Sequence, residues 1–103
     1  MIRAVFEKEG TGFTGFILSG HAGYAAAGAD IVCAAVSAMA NLVCNAAEAF
    51  GAEAEIQQDG EDALLSYRLT NRCEEAEKLL AVFCEELRQL ESQYPGNVRV
   101  TKK

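Results

Sequence analysis

The chain has 103 residues, half of them hydrophobic and 23% charged, with a net charge of −6. That size fits one domain around one compact core and excludes a deep, fully enclosed site; a shallow cleft, or a site shared with a second subunit, is expected. The only basic cluster is Lys102-Lys103, so the composition lacks the basic patch of a nucleic-acid binder and suits a basic peptide partner instead.

Ile2 to Lys8 alternates loosely and reads as a strand, not as a signal peptide. Glu9-Gly10-Thr11-Gly12 is a turn and Phe13 to Ser19 a second strand, so residues 2–19 are expected to form a hairpin. Gly20 to Asp30 reads as loop. Ile31 to Phe50 reads as a helix, because its polar residues Ser37, Asn41, Asn45 and Glu48 recur at helical spacing. One narrow polar stripe predicts a largely buried helix. The same four residues interrupt the longest apolar run, so no membrane span is expected and a cytoplasmic location is inferred. Gly51 fits the position just past the helix end.

Ala52 to Gln58 and Ala63 to Thr70 read as strands joined by a turn at Asp59-Gly60. Asn71-Arg72-Cys73-Glu74 resembles a capping box, with Asn71 as cap and Glu74 reaching back. The helix it opens is expected to run to about Gln93, with Ala76, Leu80, Phe83, Leu87 and Leu90 on one apolar face. Tyr94-Pro95-Gly96 ends it, and Asn97 to Thr101 is a short last strand with Val98 and Val100 facing one way. The order β-β-α-β-β-α-β predicts an α+β fold, a single domain over 1–103 with a mostly antiparallel sheet covered by two helices.

The four cysteines, Cys33, Cys44, Cys73 and Cys84, are spaced 11, 29 and 11 apart. None forms C-x-x-C and there is one histidine, so no metal site is expected. In the cytosol these thiols stay reduced. Cys44 is read as packing, and Cys73 and Cys84 as structural or surface thiols.

The chemistry concentrates in Gly20-His21-Ala22-Gly23-Tyr24 and Asp30-Ile31-Val32-Cys33. Asp30 as helix cap would accept from the amide of Val32 or Cys33. Cys33 then lies in the first turn, where the helix dipole favours thiolate and free amides would hold an oxyanion. Cys33, Ser37 and Asn41 follow at i, i+4 and i+8, which makes Cys33 the top of the polar stripe. His21 reaches this point if the Ala/Gly loop folds back, and then serves first as base for a cysteine nucleophile and later as acid for the leaving amine. The glycines at 20, 23 and 28 suit a lid over substrate, with Tyr24 either touching substrate or simply exposed.

Gly20-His21-Ala22, Gly28, Asp30, Cys33-Ala34-Ala35 and Ser37 together resemble the hallmark of the Prp family of ribosomal-processing cysteine proteases, whose length and element order also match. The resemblance implies Cys33 as nucleophile and His21 as base. It implies Asp30 as third member or structural support, Ser37 near the site, and Gly20 as hinge of a substrate loop that includes Ala22, Gly23, Tyr24 and Gly28. It implies an endopeptidase that trims the short N-terminal extension of large-subunit ribosomal protein number twenty-seven. The cut would fall after an aromatic pair and before Ala-Ser, on a basic precursor tail. It implies a homodimer formed through helices. No cofactor is expected and, from charge and hydropathy, no nucleic-acid binding and no membrane. Two other readings compete. One is a non-enzymatic, dimeric, ribosome-associated interaction module in which Cys33 only packs. The other is a thiol redox protein, weakened because no second cysteine lies near Cys33 in sequence.

Overall fold

The computed structural model describes residues 1–23, 25, 30–60 and 63–103. Strands β1 (Ile2–Glu9) and β2 (Gly12–Ser19) form the first hairpin, followed by helix α1 (Ile31–Ala49). Strands β3 (Ala54–Asp59) and β4 (Leu64–Leu69) form the second, followed by helix α2 (Glu74–Gln93) and strand β5 (Val98–Lys102). The strands make one sheet in the order β3-β4-β2-β1-β5. All pairs are antiparallel except β1 with β5, which run parallel because α2 carries the chain back across the sheet. The α+β architecture and element order expected from the sequence are present.

Both helices cover one face of this sheet. Ile2, Ala4 and Phe6 of β1 point into the core, with Phe16 and Leu18 opposite them on β2 and Tyr67 on β4. Strict alternation would send Phe13 to the other face from Phe16. A bulge resolves this: Glu7 pairs with Gly15 but Lys8 pairs with Phe13, so Thr14 is the extra residue. Phe13 thereby joins the core rim, with the ammonium groups of Lys8 and Lys102 5.0 and 5.8 Å from its ring centre. Behind it, Phe6, Phe16 and Phe83 pack edge-on or tilted with ring centres 5.1–5.9 Å apart, and Tyr67 stacks on Phe16 at 5.5 Å.

The periodicity of α2 is as expected: Ala76, Leu80, Phe83 and Leu87 are buried, joined by Cys84, and Leu90 is half-buried. Its start differs. Cys73, in extended conformation, is the cap, and no side chain caps the helix. Asn71 instead spans two other segments, accepting from the amide of Glu53 at 3.0 Å and donating to the carbonyl of Gly51 at 3.3 Å. Glu74, Glu75 and Glu77 supply the favourable charge at this end.

Helix α1 is long and apolar enough to cross a bilayer by length and composition alone, yet Val32, Val36, Ala40, Val43 and Ala47 are buried in the core. Its expected burial is only half realised. The sheet and α2 cover one side, which leaves Ile31 and Leu42 exposed at 56% and 70%. Its end is a Schellman motif: Gly51, at φ +92°, donates to the carbonyl of Glu48, and Ala52 to that of Ala47. The β3–β4 connection is shifted one residue from that expected, since Asp59 is still paired, opposite Leu64.

Replacing Phe16, fully buried and in contact with three other rings, by Ala should lower stability by about 3–5 kcal/mol in a urea unfolding series. A loss below roughly 1 kcal/mol would mean that the aromatic cluster is not the centre of the core.

Candidate active site

The site lies where the end of β2, the start of α1 and the β3–β4 hairpin converge, in a cleft of about 490 Å³. Each element contributes for a local reason. Asp30 fixes the start of α1. Its Oδ1 accepts from the amides of Val32 and Cys33, both at 3.0 Å, and its carbonyl accepts from Ala34 at 3.1 Å. The carboxylate is buried, at 6% exposure, so these amides replace water around its charge. Asp30 is therefore the helix cap. Its bonds also correct one expectation: the amides of Val32, Cys33 and Ala34 are already engaged and do not serve as an oxyanion site.

With the helix start fixed, Cys33, Ser37 and Asn41 all line the cleft, so the polar stripe read from the sequence faces the site. Val36, Ala40, Leu18 and Leu65 form its apolar floor. At the end of β2, Ser19, Gly20 and His21 form the adjoining wall. Gly20 has φ +84°, and a Cβ there would sit 2.4 Å from the carbonyl oxygen of Met1. Any other residue would force the strand ends apart, so glycine is required for the chain to turn toward Cys33.

That turn brings the segment carrying His21 to Cys33, and both residues line the cleft. The amide of Ala22, which is the peptide that follows His21, donates to Sγ of Cys33 at 3.2 Å. The methyl of Ala22 is buried in the core, whereas His21 and Gly23 are exposed. Tyr24 and Gly28 lie outside the described residues, as does most of the expected lid.

Among the described residues, Cys33 is the one cysteine that lines the cleft. Cys33 is half-buried: it packs against the core and also lines the cleft, which does not fit an interaction module in which it only packs. Cys44 is half-buried on the same helix, and burial pushes its thiol above the usual range. Cys84 is buried among core residues, and Cys73 is buried with its sulfur 3.7 Å from the Phe50 carbonyl. A redox pairing needs a second cysteine beside the first, and the cleft lining supplies none.

The sequence reading missed the far wall, formed by Gln58, Asp59 and Gly60 of the hairpin. The only local signal there was for a turn. It also missed Asn97, whose side chain donates to the carbonyl of Ala22 at 2.8 Å from across the fold.

A half-buried cysteine at a helix start and a histidine lining the same cleft fit a thiol-dependent hydrolase. The sequence matches the cysteine protease Prp family over residues 1–99, and the chain belongs to that family. It is a cysteine protease. The fold is similar to the essential ribosomal processing protease Prp from S. aureus in complex with a covalently linked product peptide (TM-score 0.94, 27% identity, all of both chains covered). It is similar to the same enzyme in complex with a substrate peptide (TM-score 0.88, 26% identity, all of both chains). It is also similar to SMU.848 from Streptococcus mutans (TM-score 0.87, 29% identity, 99% of this chain and 93% of that one). No curated protein matches the sequence.

Two variants separate the capping oxygen of Asp30 from its buried charge. Asp30→Ala should lose about 1 kcal/mol or more in thermal or urea unfolding, whereas Asp30→Asn, an equally good cap, should keep most of the stability. Equal loss in both would show that the buried charge matters beyond capping.

Proposed function

We propose that the chain is an endopeptidase that trims the N-terminal extension of large-subunit ribosomal protein number twenty-seven, with Cys33 as nucleophile and His21 as acid–base group. The observation that carries this is the contact between the peptide after His21 and the sulfur of Cys33 inside an open cleft. The relatives support it: the S. aureus enzyme is a ribosomal processing protease, and its complexes hold a substrate peptide and a covalently linked product peptide.

His21 takes the thiol proton, and the thiolate of Cys33 attacks the scissile carbonyl carbon. A carbon–sulfur bond forms and the carbonyl electrons move onto oxygen. The Ala22 amide, already at the sulfur, is the donor placed to follow that charge. Collapse breaks the C–N bond, and His21 gives its proton to the leaving amine. Water, losing a proton to His21, then attacks the thioester and releases the new carboxylate with the thiol restored. Asp30 supports the nucleophile from behind by fixing the helix start, and Ser37 stands one turn further along the cleft.

The apolar floor suits an aromatic residue before the cut. The net charge of −6 and the Asp59 carboxylate at the far wall suit a basic tail. A cytoplasmic location belongs to the same proposal. So does a homodimer, supported by the exposed apolar side of α1, where Ile31 and Leu42 stand among alanines.

A peptide spanning the precursor cleavage site should be cut after its aromatic pair by the wild type, with no cut by Cys33→Ala, Cys33→Ser or His21→Ala, as read by mass spectrometry. Cleavage by Cys33→Ala would sink the assignment of the nucleophile. In sedimentation analysis the wild type should be a dimer and Leu42→Glu a monomer; an unchanged dimer would remove α1 from the interface.

A further inference from the structure

We infer that Asn97 is a positioning residue for the reacting cysteine: its carboxamide holds Ala22 by its carbonyl, and the amide of the same residue meets the sulfur of Cys33. This rests on Cys33 being the nucleophile.

Asn97 lies in the turn between α2 and β5, 75 residues from Ala22 in sequence. Its Nδ2 donates to the Ala22 carbonyl at 2.8 Å, and the Ala22 amide donates to Cys33 Sγ at 3.2 Å. These groups belong to the peptide units on either side of the Ala22 Cα, so the two bonds together fix the residue and set how the His21–Ala22 amide faces the sulfur. The base of the Asn97 side chain is itself held. Its amide donates to the Tyr94 carbonyl and its carbonyl accepts from the Ile2 amide, both at 2.9 Å. The Ile2 bond starts β1, and the Met1 carbonyl beside it is what excludes a side chain at Gly20. One residue thus links the end of α2, the start of β1 and the segment that carries His21.

Only a donor can hold a carbonyl oxygen. Asn97→Asp keeps the shape but presents an acceptor at neutral pH, and Asn97→Ala presents nothing. In either, Ala22 is held from one side only, so the His21–Ala22 amide is less firmly set at the sulfur. The peptide-holding walls from the β3–β4 hairpin and from α1 are untouched. The loss should therefore fall on kcat and not on KM. The backbone bonds of Asn97 do not depend on its side chain, so the turn should survive both changes.

The test measures two things on the full chain: kcat and KM for the precursor peptide, and the rate of Cys33 alkylation by iodoacetamide as a function of pH. Unfolding curves confirm that each variant is folded at the assay temperature. Asn97→Ala and Asn97→Asp should lower kcat roughly tenfold with KM within about twofold, and move the alkylation profile to higher pH. If the Ala variant does not fold, the isosteric Asp variant alone carries the comparison. A wild-type kcat and alkylation profile in a folded variant would overturn the inference and leave Asn97 as a turn residue. Failure of the proposed function is a different outcome. There, the wild type does not cleave or Cys33→Ala does, while the alkylation profile still reports whether Asn97 governs the sulfur.

Discussion

A pair of groups twelve residues apart in sequence can act as one site only if both ends of the intervening segment are pinned. Here the pins are backbone bonds to buried or rigid partners. On one side, the buried carboxylate of Asp30 takes two amides of α1, which sets the first turn and the direction of the Cys33 side chain. On the other, Gly20 fits where no side chain can, and the Ala22 peptide closes onto the sulfur. Moving a reacting atom by about 1 Å can cost a hundredfold in rate, so a nucleophile and base on a loose loop would do little.

The same economy explains the spread of burial along α1. One side meets the sheet and α2, a second side forms the cleft, and a third meets neither. A small two-layer protein has only one core to offer. A helix that must give one face to the core and another to the site leaves the rest uncovered, and in this chain the rest is Ile31, Leu42 and alanines.

Local chemistry was legible in the sequence. Helical spacing located both helices and the buried face of α2, and the polar stripe of α1 was correctly separated from its packed side. Asp30 was readable as a cap because a cap acts within three residues. What the sequence hid was set by distant partners. The bulge at Thr14 comes from fitting both Phe13 and Phe16 into one core. Asn71 has the pattern of a cap, yet its amide is drawn to Gly51 and Glu53, which only tertiary pairing brings near. The outer wall at Gln58 and Asp59, and the bond from Asn97 to Ala22, join residues tens of positions apart. The Prp motif compensated for part of this, since it carries in a few residues the result of contacts that no periodicity shows.

The proposed function rests on Cys33, in the same cleft as His21, being the reactive one of four cysteines. Limited alkylation with iodoacetamide at neutral pH, followed by peptide mapping, tests it most directly. Cys33 should be labelled well ahead of Cys44, Cys73 and Cys84, and His21→Ala should slow Cys33 alone. Labelling of Cys44 at the same rate as Cys33, or no effect of His21→Ala, would contradict the account.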